Sequence, residues 1–189
     1  MAGVCRRSSC VSDKVQGPAP SCGGNRRWLR TVEAGMGSER VEADAAARGL
    51  EIEIVERGPA GSLDEAAALL GVSPREIVKT LVVKGKDGYW FALVPGDRQI
   101  SWPKLRAAIG VNKLQLPPAD PALEATGYER GTIVPLGSTT AWPVFADASI
   151  SGRIAMGAGR HGASLLVDAT ALIRSLDATV ADICAEPEG

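Results

Sequence analysis

The stretch that decides the fold of this chain is IVKTLVVKGKDGYWFALV, residues 77–94. Two apolar runs, 77–83 and 89–94, are separated by a short polar segment that contains Asp87 and Gly88. Short runs rich in β-branched and aromatic residues are typical of buried strands. An Asp-Gly pair between two such runs is a strong signal for a hairpin. The sequence therefore predicts a β-hairpin, and the rest of the chain has to cover it.

Helices and short strands are mixed on both sides of this hairpin. Before it, the pattern predicts a helix over 39–48, an alternating strand over 51–56 and a helix from Ser62 with a capping box to Glu65. A second helix start with the same capping box is predicted at 73–76, with Pro74 at the first helical position. After it, we expect helices at 102–109 and 120–127, strands at 132–134, 144–146, 153–156 and 165–167, a helix capped by Asp168 and a last helix near 180–184. Because no regular βαβ rhythm is present, the prediction is an α+β domain with a mixed sheet.

The net charge of −1 over 189 residues conceals a break in composition. Residues 1–38 carry six Lys or Arg against two Asp or Glu, a charge of +4, which leaves −5 for the remainder. This first segment shows neither helical nor strand periodicity, so we expect a disordered N-terminal extension at 1–38 and one domain at 39–189. Two further interpretations of the extension are a targeting segment and a non-native addition upstream of a true start at Met36.

Several classes of site are disfavoured by composition. A single histidine, His161, excludes the usual metal cages and leaves a catalytic triad dependent on one residue. Cys5, Cys10 and Cys22 have no fourth ligand nearby, so no metal and no cofactor is expected. Cys184 has no cysteine partner in the domain, which fits a reducing compartment. Aromatic residues make up 4%, too few for an extended base-stacking platform.

Three features could carry chemistry. Lys79 lies in an otherwise apolar run, so its side chain either has a task in a cleft or extends along the strand edge to water. The segment 157–162, GAGRHG, could present backbone amides to an anion or be an ordinary glycine-rich turn. Its His161 is a candidate general base or an exposed loop residue. The segment 131–137, GTIVPLG, is either the rim of a pocket or a rigid turn.

A basic strip lies in the middle of the acidic domain. Residues 98–119 contain Arg98, Lys104, Arg106 and Lys113 and no acid. Such a strip can contact a phosphate backbone, and it can equally be the solvated face of a helix. We treat Arg98, Lys104 and Arg106 as candidate contacts to the backbone of a nucleic acid.

Taken in order, these segments resemble the YbaK/ProX family of aminoacyl-tRNA deacylases, which includes the editing domain inserted in many bacterial prolyl-tRNA synthetases. The resemblance covers residues 41–183. It rests on SLDEAA with LGV (62–67, 70–72), IVKTL (77–81), LVPGD (93–97), KL (104–105), TGY (126–128), the Gly-x-x-x-Pro motif within 131–137, Asp147, the loop 157–162 and ATVADI (178–183).

The resemblance implies a mixed, mostly antiparallel sheet or partial barrel with surrounding helices, and hydrolysis of the ester of a mischarged tRNA. It implies that Lys79 is the main catalytic side chain. It also implies trans-editing in the cytoplasm, with Cys- or Ala-tRNA(Pro) as typical substrates, and partners that are the tRNA acceptor end and a synthetase such as prolyl-tRNA synthetase. The substrate-binding residues it suggests are Gly131, Thr132, Ile133, Val134, Pro135, Gly157, Gly159, Gly162 and Leu63.

The sequence departs from the family pattern at three positions around the glycine loop. Gly157 replaces a common serine, His161 replaces an arginine, and Ser164 occupies a position that is commonly acidic. These changes remove polar groups from the expected pocket edge and leave the amino-acid specificity open. They also support an alternative hypothesis, a non-catalytic module that binds tRNA ends or nucleotides or docks to a synthetase.

Overall fold

The structure, a computed structural model, describes residues 26–186. Within this range the chain forms five α-helices, one 3₁₀ turn and seven strands. In chain order they are α1 Arg26–Ala47, β1 Ile52–Glu56, α2 Leu63–Leu70, the 3₁₀ turn Pro74–Glu76, β2 Val78–Lys84, β3 Tyr89–Pro95, α3 Trp102–Ile109, α4 Ala119–Thr126, β4 Val144–Asp147, β5 Arg153–Gly157, β6 Ala163–Asp168, α5 Ala169–Ser175 and β7 Thr179–Ala181. No helix in this range is long and apolar enough to cross a bilayer.

The predicted hairpin is confirmed, and it is half of a mixed sheet. Strands β2 and β3 pair antiparallel, with Lys79 opposite Val94. The sheet has the order β2-β3-β4-β7, and β3-β4 and β4-β7 are parallel pairs. A second sheet, β1-β6-β5, is antiparallel throughout. An isolated bridge between Ile77 and Ala155 connects the two sheets. The α+β class is therefore confirmed, and among residues 26–186 the two sheets do not close into a barrel.

Strand β3 is apolar on both faces because it separates two cores. Phe91 and Leu93 pack with the second sheet in the larger cluster, whereas Ala92 and Val94 pack with α3 and the C-terminal segment in the smaller one. All four side chains are at most 1% exposed. Each large apolar side chain buried in this way contributes about 1.5–3 kcal/mol. The continuous apolar run from Phe91 to Val94 therefore follows from burial on two sides.

Two of the predicted elements are wrong. Residues 132–134 form a buried loop, because Gly131 has φ +92° and the Thr132 N–H donates to the Glu129 carbonyl in a turn. Residues 180–184 are extended instead of helical. Here the N–H groups of Ile183 and Cys184 donate to the buried Asp147 carboxylate, 3.1 and 3.0 Å away, and are not available for a helical turn.

Helix α1 differs from the prediction at its N-terminal end. It begins at Arg26, so residues 26–38 are helical although we expected them to be disordered. Residues 37 and 38 are buried, and the Ser38 hydroxyl donates to the Ala158 carbonyl at 2.8 Å. The expected boundary between 38 and 39 therefore does not separate the helix from the domain. Residues 1–25 lie outside the described residues.

One side chain of α1 fastens the loop that follows α4. The Arg40 guanidinium donates to the carbonyls of Gly137, Gly127 and Thr126, at 2.9, 3.2 and 3.3 Å. It also stacks on Tyr128, with 4.6 Å between its central carbon and the ring centroid. A charged donor with several fixed acceptors forms stronger hydrogen bonds than a neutral one. Arg40 therefore holds both ends of the loop 127–137 against α1.

We expect Arg40→Ala to lower the free energy of unfolding by about 2–3 kcal/mol, because three carbonyls lose their charged donor. Urea unfolding followed by circular dichroism measures this change. Arg174→Ala, at an exposed position of α5, is the matched control and should shift stability by less than about 0.5 kcal/mol. Equal effects of the two substitutions would show that Arg40 does not anchor the loop.

Candidate functional site

A cavity of about 290 Å³ opens where the outer strands of the two sheets meet. Strand β2 is the outer strand of one sheet and β5 that of the other, and both line the cavity. Helix α2, the start of β6 and the loop after α4 complete its wall. The volume corresponds to roughly ten molecules of liquid water. The cavity is therefore of the size that holds one small organic group.

The wall is apolar except for three cations and two hydroxyls. Arg57, Lys79 and Arg130 line it, and no Asp or Glu is among the lining residues. The hydroxyl residues are Thr80 and Ser164. The apolar lining consists of Ala66, Leu70, Ile77, Val78, Leu81, Ile133, Ala155, Met156 and Ala163, together with Gly131 and Gly157. An apolar cavity with cations and no carboxylate favours an uncharged group next to a negative or developing negative charge.

Lys79 lines the cavity, and its amine is held by the loop after β3. Its Nζ donates to the carbonyls of Arg98 and Gly96, at 2.6 and 3.0 Å. Burial lowers the pKa of Lys79, while the neighbouring Cys184 and Asp97 act in the opposite direction. An ammonium group has three N–H donors, and these two carbonyls accept from two of them. The structure thus fixes the position of this cation.

The Gly-x-x-x-Pro loop contributes its first half to the cavity. Gly131 and Ile133 line it, whereas Thr132, Val134 and Pro135 are buried behind it. The Thr132 hydroxyl donates to the Glu129 carbonyl at 2.8 Å, and the Thr132 carbonyl accepts from Gly159 at 3.0 Å. Two of the five predicted binding residues in this loop therefore face the cavity, and the other three support the loop.

Gly157 lies where the loop and β5 come closest. A Cβ built at this position would be 2.7 Å from the carbonyl oxygens of both Thr132 and Ile133. Backbone atoms cannot move aside as a flexible side chain can, so only glycine fits this arrangement. The replacement of the family's serine by Gly157 is therefore coupled to the position of the loop that forms the wall.

Three other predicted binding residues lie outside the cavity wall. Gly159, with φ +76°, packs against α1, where a Cβ would be 2.6 Å from the Gly37 carbonyl oxygen. The Gly162 carbonyl accepts the N–H groups of Arg57 and Gly58. Leu63, the first residue of α2, lies against Gly96, where a Cβ would be 2.7 Å from its Cδ1. All three hold neighbouring segments in place, and their role in substrate binding remains a prediction.

The sequence analysis did not single out two of the cationic residues. Arg57 follows β1, and its guanidinium donates to the Ser164 hydroxyl at 3.0 Å and to the Gly58 carbonyl at 3.1 Å. Arg130 directly precedes Gly131. Both are ordinary surface residues in the local pattern, because strand ends and loops commonly carry arginine. Only the position of Arg57 before Gly58-Pro59, at the end of a strand, could have drawn attention to it.

The basic strip is largely paired and lies away from the cavity wall. Arg98 Nη1 is 3.5 Å from Asp147 Oδ1, and its Nη2 donates to the Ala185 carbonyl at 2.9 Å. Lys104 Nζ lies 2.7 Å from Asp182 and 3.0 Å from Glu186. Arg106 is half-buried on α3. Their contact with tRNA remains a prediction, but two of the three cations already have acidic partners.

A family model described as an aminoacyl-tRNA editing domain matches residues 58–175. Among curated proteins, the proline–tRNA ligase of Thermosipho africanus is 43% identical over 77 residues, which are 41% of this chain and 14% of the ligase. The proline–tRNA ligase of Bacillus licheniformis is 25% identical over 123 residues, 65% of this chain and 22% of the ligase. The chain thus spans less than a quarter of the length of these relatives.

Two solved structures are similar to this chain over nearly the whole of their own length. One is described as a candidate trans-editing enzyme for prolyl-tRNA synthetase; it has a TM-score of 0.74 and 26% identity, and the match covers 79% of this chain and 98% of that one. The other is a hypothetical protein with a TM-score of 0.71 and 32% identity, covering 77% of this chain and 99% of that one. The described domain is therefore similar to complete, separate chains as well as to parts of ligases.

We expect Gly157→Ser to destabilise the protein by about 1–3 kcal/mol, because the new Cβ forces the 131–135 loop away from β5. Thermal unfolding measures the loss. Gly61→Ala is the matched control, since its Cβ would meet only a side-chain oxygen of Glu65 at 3.4 Å. A Gly157→Ser protein as stable as the control would mean that the loop and β5 are not tightly packed.

Asp147 should make the free energy of unfolding depend on pH in the acidic range. Burial alone would raise its pKa, but hydrogen bonds from Ser149, Cys184 and Ile183 outweigh this effect and the pKa is lowered. A lowered carboxylate pKa adds stability that is fully present above the unfolded value of about 3.9 and is lost as the pH falls below it. Asp147→Asn should therefore flatten the decrease in stability below about pH 4, measured by urea unfolding. Asp87→Asn, in the exposed hairpin turn, should keep the wild-type slope.

Proposed function

Because the chain belongs to the aminoacyl-tRNA editing domain family, we propose that it hydrolyses the ester bond of mischarged aminoacyl-tRNA. The observation that carries this proposal is the cavity of about 290 Å³ lined by three cations and no acid. An aminoacyl ester consists of a small group that fits such a cavity and a nucleic acid that does not. The amino acid would occupy the cavity and the acceptor end would lie outside it.

The charges around the cavity suit the reaction. When water adds to the ester carbonyl, negative charge develops on the carbonyl oxygen, and fixed cations and backbone N–H groups lower the energy of that state. Lys79, held by two carbonyls, and Arg57, held by Ser164, are the side chains that would supply this stabilisation. The bond between the carbonyl carbon and the ribose oxygen then breaks, and the ribose oxygen takes a proton. An ester is activated enough to need no protein nucleophile.

Selectivity would come from the size of the cavity. One methylene group contributes only about 1–3 kcal/mol to discrimination by binding, so an editing site must exclude the correct amino acid sterically. A cavity of about 290 Å³ with a largely apolar wall favours a small side chain. We therefore propose trans-editing of alanyl- or cysteinyl-tRNA(Pro), consistent with the described role of the solved neighbour and with the ligases that share the domain.

Delivery of the tRNA would need help. The domain from residue 39 onward carries a formal charge of −5, and much of its basic strip is paired with acids. Such a surface holds a nucleic acid weakly, because affinity for the backbone depends on the number of phosphates that are neutralised. We propose a synthetase such as prolyl-tRNA synthetase as the partner that presents the acceptor end, in the cytoplasm where translation takes place.

We expect the protein to release amino acid from Ala-tRNA(Pro) or Cys-tRNA(Pro) and not from Pro-tRNA(Pro), measured with radiolabelled amino acid. Lys79→Ala should slow this reaction by about 100-fold, the loss typical for one donor to an oxyanion. Lys86→Ala, in the exposed hairpin turn, is the matched control and should react like the wild type.

Absence of cleavage with every mischarged tRNA would overturn the hydrolase proposal. Binding of the same tRNAs without turnover would instead support the non-catalytic module. If Lys79→Ala cleaves as fast as the control, Lys79 has no catalytic role.

A further inference from the structure

A histidine and a glutamate form a pair beside the mouth of the cavity. His161 Nε2 is 3.1 Å from Glu129 Oε2. The His161 ring also lies against Gly131, with Cε1 3.8 Å from the place where a Cβ on that glycine would stand. Gly131 is exposed and lines the cavity. Ala163, two residues after His161, is buried and also lines it. Both members of the pair are exposed, so they lie at the rim and remain open to water.

The rim is where the scissile bond would lie. If the amino acid occupies the cavity and the tRNA remains outside, as the proposed function requires, the ester that joins them sits at the mouth. Water has to reach the same place to attack the carbonyl carbon. A group that removes a proton from this water must be within hydrogen-bond reach of it. His161 is therefore on the correct side of the substrate for this role.

The hydrogen bond to Glu129 sets which ring nitrogen is basic. An ionised carboxylate only accepts hydrogen bonds, so the proton of the neutral imidazole is on Nε2 of His161, and this N–H donates a hydrogen bond to Glu129. Nδ1 is then the nitrogen with the lone pair. A base oriented by a third group in this way is the usual arrangement of a general base in enzymes. Imidazole is also the side chain that exchanges protons most readily near neutral pH.

We propose that His161 is the general base of the hydrolysis and that Glu129 positions it. Nδ1 of His161 takes a proton from water while the water oxygen bonds to the ester carbonyl carbon. The carbon–oxygen bond to the ribose then breaks, and the proton passes from His161 to the ribose oxygen. The products are the free amino acid and the tRNA with its terminal hydroxyl restored, and His161 returns to its starting state.

Two of the three arginines near the pair are already engaged. Arg160, on the same loop, forms an ion pair with Glu56 at the end of β1. Arg57 bonds to the Ser164 hydroxyl, and Arg130 precedes Gly131 at the cavity wall. Of the two carboxylates in this region, Glu56 is paired with Arg160 and Glu129 contacts His161. The rate of the reaction should therefore depend on His161 and on its contact with Glu129.

The test is the pH profile of kcat/KM from pH 5 to 9, with Ala-tRNA(Pro) and Cys-tRNA(Pro) as substrates. The wild-type rate should fall towards acid pH, because a protonated base cannot take a proton from water. His161→Asn should lose about 100-fold at neutral pH and lose this acid decrease, leaving only the dependence of the uncatalysed ester. Glu129→Gln should lose about 10-fold, because the imidazolium that forms when His161 takes the proton no longer has a counter-charge beside it.

Controls separate this inference from the proposed function. Glu124→Gln, at an exposed position of α4, removes the same charge elsewhere and should keep the wild-type profile. Melting temperatures of all variants should be unchanged, since both members of the pair are exposed. If the wild type is active and depends on Lys79, but His161→Asn keeps both its rate and its profile, His161 is only a loop contact and the inference is wrong. If the wild type cleaves no ester, the proposed function is wrong, and the inference, which rests on it, is wrong as well.

Discussion

The polar contacts of α1 with two loops are the constraint on which the site depends. Arg40 binds carbonyls at both ends of the loop 127–137, and Asp44 accepts the Gly137 N–H at 2.9 Å. Ser38 binds the Ala158 carbonyl and accepts a hydrogen bond from Arg160. One helix therefore holds, from behind, the two segments that form much of the cavity wall and rim. Loops of this kind have few regular backbone hydrogen bonds, so their position depends on such side chains.

The cavity exists because two sheets meet at their outer strands without merging. The bridge between Ile77, just before β2, and Ala155 of β5 connects the two sheets, and the space beside it is the cavity. An outer strand normally exposes unpaired backbone groups and must be covered. Here the cover is α2 and the loop after α4, and the space they leave is the candidate site. The same geometry places Lys79 on a rigid strand and leaves the rim to loops.

Local patterns predicted most of the regular elements because each is dictated by neighbours in sequence. The hairpin follows from the Asp-Gly turn, and α2 from the Ser62 cap, which accepts the Glu65 N–H at 3.1 Å. In both failures the hydrogen-bond partners decided the backbone. The Thr132 N–H bonds to the Glu129 carbonyl in a turn. Residues 180 and 181 pair with β4 as part of β7, and the N–H groups of Ile183 and Cys184 bond to the side chain of Asp147, far away in the sequence. Periodicity of apolar residues carries no information about such partners.

For the site, the sequence by itself determined the unusual residues: a lysine in an apolar strand, the Gly-x-x-x-Pro segment and the glycine loop with its one histidine. Only the tertiary structure decided which of them meet. It brought Lys79, Gly131, Ile133 and Gly157 to one cavity, added Arg57 and Arg130, and placed Glu129 beside His161. It also paired Arg98 and Lys104 with acids from other segments. The physical reason is that electrostatic attraction and hydrogen bonding depend on distance in space, so residues 32, 49 and 78 positions apart become partners only when the chain has folded.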